Sequence, residues 1–334
     1  MKKITALALS LIFCLSSLVL FNLDGYATDS DALNTEIGLV DPTEYLHLED
    51  FTIEEVFECS YNDILAYLDA CREACGIEPV TNSTVATLSN MESDVTPLWG
   101  SNWIGNEDVT KTHEMISFLS VCAMFADKRA WREDVLLAIG EAGKVAVWSA
   151  QPDNIGNGVL LDKLFAGHFY NPKTGTNIMD STYPTAKTNA KEYYDSALTY
   201  MRQGDRDKGL KYLGYALHYI QDSGEPHHAA NIPKVVYGGA HGNFEDYVDE
   251  NLETLCPTDL SVSNSIYSYA LSHSAADMVE ICANIAFGKK DKVLDGKNPN
   301  YQVWESVAKQ QLRLVGSYGA ALAYKFATEA GMYN

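Results

Sequence analysis

The sequence reads as an all-α protein, a multi-helix bundle, and three observations say so. From Glu107 onward apolar residues recur every three or four positions, strand-like alternation is almost absent, and helix breakers separate the periodic runs. The stretch from Trp103 to Asn334, about 230 residues, is long enough for one domain with a full core and too short for two substantial ones.

The elements follow in order. Lys2 and Lys3 precede an apolar run of secretory length that ends near the small residues Gly25 and Ala27, so residues 1–27 are expected to be a signal peptide and the protein to be secreted. A lipoprotein anchored through Cys14 is the rival, against which the bulky Phe13 stands where a lipoprotein peptidase needs a small residue. No later apolar stretch is long enough to span a bilayer.

Residues 28–102 carry sixteen Asp and Glu against Arg72 alone, most of the chain's formal charge of −21. The turn-rich run SNMESDVTPLWGSN then separates this segment from the remainder of the chain. That boundary predicts an acidic prosegment ahead of a mature domain at 103–334; a permanent acidic subdomain is the alternative. Helical apolar spacing over Ile53 to Gly76 predicts that the segment is partly helical. So acidic a chain is poorly suited to nucleic acid, because neutralising phosphates requires Lys and Arg.

In the mature part the periodicity predicts helices over about Asp108 to Ala126, Glu133 to Trp148, Ala186 to Arg202, Arg206 to Gln221, Asn243 to Leu252, Ser263 to Ala286 and Tyr301 to Ala330. Between Gln151 and Ala186 runs a long connection, of a length often functional inside a compact domain. Apart from Cys14, cysteine is divided as Cys59, Cys71 and Cys75 in the acidic segment and Cys122, Cys256 and Cys282 in the mature part. Three in each part do not make a complete disulfide framework, although one bond within either part is open.

The chemistry concentrates in HYIQDSGEPHHAAN, residues 218–231. His218 and Asp222 lie four apart near a helix end and project from one face toward a common ion. Gly224 and Pro226 stop that helix, which lets His228 fold back toward the pair. Further on, His241 and Glu245 repeat the spacing. Alone, a His and an Asp at i,i+4 are commonly a solvated hydrogen-bonded pair; a helix stop and a third His within six residues have no use on a solvated face.

These residues resemble the motif HYxGDxxxPxHxAN of the zinc-dependent phospholipase C family of Gram-positive bacteria, which includes the bacillus lecithinase and the catalytic domain of the clostridial alpha-toxin. His218, Tyr219, Asp222, Pro226, His228, Ala229 and Asn231 match, and Gln221 departs where a small residue is usual, so that it is expected to crowd the packing below the site. The resemblance extends to Trp103, ten residues before His113, similar to the mature amino-terminus that binds zinc in the toxin branch. Trp99 is the competing terminus. In the long connection, QPD at Asp153 and FAGHFYNP at His168 look like the family's Asp and His ligands.

The resemblance implies a bundle enclosing a trinuclear zinc site, three ions per mature chain. One ion would use Asp153, His168, His218 and Asp222, a second Trp103, His113 and Asp222, and a third His228, His241 and Glu245. Histidine and carboxylate ligands without thiolate suit catalytic zinc. His227, His273 and His47 have no family role and read as surface, helix-face and prosegment residues.

The implied reaction is in-line attack of a zinc-activated water on phosphorus, releasing diacylglycerol and a phosphorylated headgroup. Asp153 is a candidate general base, with metal-bound hydroxide acting alone as the other choice. Phe165 and Glu107 are candidates for the headgroup cage, while Asn154 and Asn106 depart from the family's cage residues. Phosphatidylcholine is the leading substrate, and phosphatidylethanolamine and sphingomyelin follow from those departures. The expected partners are phospholipid at a micelle or membrane surface and a processing protease, and the enzyme is expected to be a monomer exported in the Gram-positive manner. The toxin branch's C-terminal β-sandwich finds no counterpart before Asn334, which predicts weaker action on tightly packed bilayers. Two other functions fit part of the pattern: a zinc-dependent single-strand nuclease of the same superfamily, and a non-catalytic zinc-binding surface protein.

Overall fold

The computed structural model describes residues 39–47, 52–77, 112–128, 131–153, 166–234 and 236–332. Residues 1–27, expected to be a signal peptide, and Cys14, Trp99, Trp103, Asn106, Glu107, Asn154 and Phe165 lie outside the described residues, as do Asp108 to Lys111 of the first predicted mature helix. No strand occurs among the described residues; their one β-bridge joins Asn171 and Thr176.

Two helices belong to the acidic segment, α1 (Thr43–Leu46) and α2 (Tyr61–Ala74). A 3₁₀ turn at Ile53–Glu58 precedes α2, and the two are separate because the Ser60 hydroxyl accepts the backbone N–H of Asp63 and restarts the helix. Next come α3 (Thr112–Lys128) and α4 (Val135–Ser149), the latter capped by Asp134. Ala186–Arg202 is α5, capped by Thr185, and Arg206–Ser223 is α6, capped by Asp205. Pro226 does not simply end this run. Gly224 closes α6, and Pro226 opens a further helical turn, α7 (Pro226–Ala229), where its missing N–H costs nothing.

Helix α8 (Ala240–Glu250) begins three residues earlier than the periodicity indicates and hands over at Asn251 to α9 (Leu252–Leu255). The single helix expected over Ser263 to Ala286 is two, α10 (Asn264–Ser272) and α11 (Ala275–Phe287), because Ser274 forms a capping box with Asp277. The last helix, α12 (Tyr301–Ala330), runs from its Asn300 cap to Gly331 in the left-handed conformation.

Helices α3, α4, α6 and α12 carry the most buried side chains, including Phe118, Ile139, Leu217, Leu312 and Phe326. Helix α6 crosses α4 at Gly214, where a Cβ would stand 2.6 Å from the Val145 carbonyl. That close approach brings the end of α4 alongside His218, one turn further along α6. No helix among the described residues is long and apolar enough to cross a membrane.

Candidate metal centre

His218 and Asp222 stand one turn apart on α6, both fully buried. His218 Nδ1 lies 2.9 Å from the Ser149 carbonyl at the end of α4, an acceptor-only group, so Nδ1 carries the proton and Nε2 presents its lone pair inward. There Nε2 meets Asp222 Oδ2 at 3.0 Å, Asp153 Oδ1 at 3.6 Å and His168 Nδ1 at 2.9 Å. Asp153 sits on a 3₁₀ turn directly after α4, and His168 on another such turn at Ala166–His168. His168 Nδ1 is 2.7 Å from Asp222 Oδ2.

His113, in the first turn of α3, reaches the same place from the far side. Its Nε2 is 3.7 Å from both Asp153 Oδ2 and Asp222 Oδ1. Its Nδ1 lies 2.7 Å from Gln221 Oε1, and the Gln221 amide is turned this way because its Nε2 donates to Ser117 Oγ at 2.7 Å. Gln221 therefore fixes the ring of a candidate ligand, a role beyond the crowding that its size suggests.

A second group adjoins the first through Asp222, whose Oδ1 is 3.6 Å from His228 Nδ1. That nitrogen faces the His168 carbonyl at 3.2 Å, and His241 Nδ1 faces the Ile232 carbonyl at 2.7 Å. Both rings thus aim Nε2 at Glu245 Oε1, at 3.2 and 3.0 Å. Lys234 Nζ holds the other oxygen, Glu245 Oε2, at 2.6 Å. Phe169 stacks on His228 at 4.8 Å and closes this side with apolar surface.

Three sets of donors lie close enough to share an ion: His113, Asp153 and His218; His168, His218 and Asp222; and Glu225, His228 and His241. Buried among them, His113 Nε2, His168 Nε2 and Asp222 Oδ1 have no hydrogen-bond partner among the described residues. Orphaned lone pairs at zero exposure are costly unless a cation takes them. All the donors are nitrogen or oxygen, which fits zinc in a catalytic setting. The described cysteines, Cys59, Cys71, Cys75, Cys122, Cys256 and Cys282, are free thiols and none joins these groups.

Charge follows from the same geometry. Burial keeps the His113 imidazole well below its usual range, with His218 adding to the effect, and burial pushes His168 down to about 4. Burial disfavours a charged Asp222, yet His218 and His168 beside it hold its carboxyl well below the usual range. His228 is likewise buried, but its bond to Glu245 and the nearby Asp222 lift it to about 9, a proton that a divalent ion would displace.

No protein-family model matches the chain. A phospholipase C of Paraclostridium bifermentans is 22% identical over 251 residues, 70% of this chain and 62% of its own. One from Bacillus cereus is 34% identical over 96 residues, 28% of this chain and 34% of its own. The chain is a relative of the bacterial phospholipases C. Its fold is that of the alpha toxin from Clostridium absonum, with a TM-score of 0.57 at 23% identity over 68% of this chain and 66% of that one. This phospholipase C relative spans 62% of the length of the P. bifermentans protein and 47% of that from Clostridium novyi.

Eight of the residues singled out in the sequence stand in this one centre: His113, Asp153, His168, His218, Asp222, His228, His241 and Glu245. The grouping differs at His113, which is as near to Asp153 as to Asp222. One reading is corrected outright. His227 is not a surface residue: it is fully buried, with Nδ1 2.6 Å from Glu225 Oε1 and Nε2 3.2 Å from the Val293 carbonyl. His273, read as a helix-face residue, is the exposed C-cap of α10 and stacks on Tyr269.

Four contributors in this phospholipase C relative are not legible in the sequence. Gln221, Glu225 and Lys234 act through partners distant in sequence or off the i,i+4 pattern, and Phe169 lies beside His168 without periodicity. Within the motif, Gln221 stands out only as a departure from the family pattern, and Glu225, an acid directly before Pro226, carries a signal that could be noticed there.

Proposed function

We propose that this chain is a secreted phospholipase C, a zinc-dependent phosphodiester hydrolase that releases diacylglycerol and a phosphorylated headgroup from phosphatidylcholine. The supporting observation is the convergence of eight buried imidazole and carboxylate side chains, with inward-facing lone pairs, in a relative of bacterial phospholipases C. Three zinc ions would be held by Asp153, His168, His218 and Asp222, by His113 with the Trp103 amino-terminus and Asp222, and by His228, His241 and Glu245. Bound zinc supplies Lewis acidity to the phosphoryl oxygens and to water.

The chain's own residues do the rest. Asp153, 3.5 to 3.7 Å from His113, His168 and His218, would take a proton from the attacking water. The backbone carbonyls of Ser149, His168 and Ile232 fix three rings in the tautomer that offers Nε2. Phe169 and the apolar packing around it exclude bulk water from the His228 side. The family pattern assigns Phe165 to the choline headgroup, and Glu107, next to the Asn106 that stands at the family's acid position, would supply the charge. In this reading residues 1–27 are removed on export and a protease cuts between Asn102 and Trp103, which creates the ligand amino group and makes processing the activating step.

The test compares the chain from Thr28 with a preparation cleaved before Trp103, scoring diacylglycerol release from phosphatidylcholine micelles and zinc content. The expected result is activity in the cleaved form with about three zincs and its loss in His228→Ala. Zinc without diacylglycerol would shift the substrate to nucleic acid, and absence of zinc would overturn the ligand assignment.

A further inference from the structure

Glu225 stands in none of the three proposed ligand sets, yet it is a fully buried carboxylate at the third of them. We propose that Glu225 is a fourth protein ligand of the ion held by His228, His241 and Glu245, an inference that rests on the zinc reading.

Lys234 occupies Glu245 Oε2, so Glu245 offers the ion only Oε1, the atom that both Nε2 nitrogens face. The set lacks a fourth donor, and Glu225 Oε2 is positioned to be one. It lies 4.0 Å from His241 Nε2, so that ligation draws the two atoms together toward the roughly 3.4 Å that separates donors at about 2.1 Å on a tetrahedral zinc. One donor atom each from Glu225, His228 and His241 falls within a common 4.8 Å. Oε2 also accepts the His228 backbone N–H at 2.6 Å, which uses one lone pair and leaves the other. Oε1 is engaged by His227 Nδ1 at 2.6 Å, so the carboxylate cannot swing away from the site. Two carboxylates and two imidazoles neutralise a divalent ion inside the protein and leave it less exposed to a chelator than a three-ligand site.

The competing role is structural, since Glu225 caps α7 and pairs with His227. Full-length protein is loaded with zinc, dialysed against graded chelator and assayed for retained metal, with the metal-free melting temperature measured in parallel. Glu225→Gln keeps a capping oxygen but not the charge. The expected result is loss of one of the ions at a chelator concentration at least tenfold lower than in the wild type, with the metal-free melting temperature unchanged. Retention equal to wild type, or a loss matched by a fall in metal-free melting, overturns the proposal. Should Glu225→Gln not fold, Glu225→Asp decides: it keeps the charge and a capping oxygen but withdraws the carboxylate by one methylene, so loss of one ion at lower chelator with unchanged metal-free melting supports ligation and retention equal to wild type overturns it. A wild-type chain that retains no zinc overturns the parent reading and this one with it.

Discussion

At the scale of single residues, the centre depends on side chains that touch no substrate. Gln221 accepts from His113 Nδ1 and is itself held by Ser117, so Gln221→Leu leaves the His113 ring without its acceptor. Outer partners of this kind are worth roughly 10- to 100-fold in metal affinity. The expected outcome is a loss of that order for one ion, measured by zinc titration of the folded variant. Away from the centre, Glu141 is buried and receives Arg132, Arg206 and the Trp131 indole. Trp131 holds φ at 101°, a backbone conformation costing about 1–3 kcal/mol, and the indole bond to Glu141 helps to hold it. Burial opposes the charge on Glu141, but Arg206 and Arg132 outweigh it and hold the carboxyl below its usual value of 4.5. A depressed folded value means that Glu141 stabilises fully above pH 4.5 and that this contribution disappears as pH falls through the lower folded value. Glu141→Gln should therefore lose about 3 kcal/mol at pH 7 and show a flatter stability profile on the acid side of 4.5, read from urea midpoints across that range.

At the scale of elements, the acidic segment is packed into the helices that come after it in the chain. Tyr67 and Cys71 of α2 lie over Gly143 of α4, where a Cβ would stand 2.6 Å from the Cys71 sulfur and 2.9 Å from the Tyr67 ring. The Tyr67 hydroxyl donates to the Ile139 carbonyl at 3.2 Å. Arg72, the one basic residue of the segment, forks onto Glu114, which neighbours His113 on α3 and is buried. Gly143→Ala should cost about 1–3 kcal/mol by overpacking, visible as a lowered urea midpoint. Arg72→Leu should cost about 3 kcal/mol, because it removes the guanidinium charge that faces the buried Glu114 carboxylate. If cleavage before Trp103 activates the enzyme, this packing predicts that residues 39–77 stay bound afterwards, so the cut protein should elute at the size of the uncut one.

At the scale of the whole molecule, the centre ties together α3, the end of α4, the turn at His168, α6, α7 and α8. Ions that bind there bind only the folded chain, and each adds about 4 kcal/mol at a thousandfold excess over its dissociation constant. Removing them with a chelator should lower the melting temperature by about 10 °C per fully occupied site, at about 2–4 °C per kcal/mol for a domain of this size. A melting curve unchanged by chelation would contradict the assignment of these side chains to metal.

The sequence by itself determined what local chemistry can determine. The 3.6-residue period placed α3 to α6 and α12 within a few residues, and the i,i+4 pairs His218 with Asp222 and His241 with Glu245 were legible because four residues make one helical turn. Tertiary structure alone decided the rest. That His227 would be buried depends on how the chain packs, whereas the Ser274–Asp277 capping box and Pro226 at a first helical position are local signals that periodicity does not read. The carbonyls of Ser149, His168 and Ile232 leave no mark in the sequence because every residue has one, and only the fold aims a particular one at a ring. Asp153 and His113, forty residues apart and without shared periodicity, become neighbours because the end of α4 lies against the start of α3, where Ser149 Oγ donates to the His113 carbonyl at 3.0 Å.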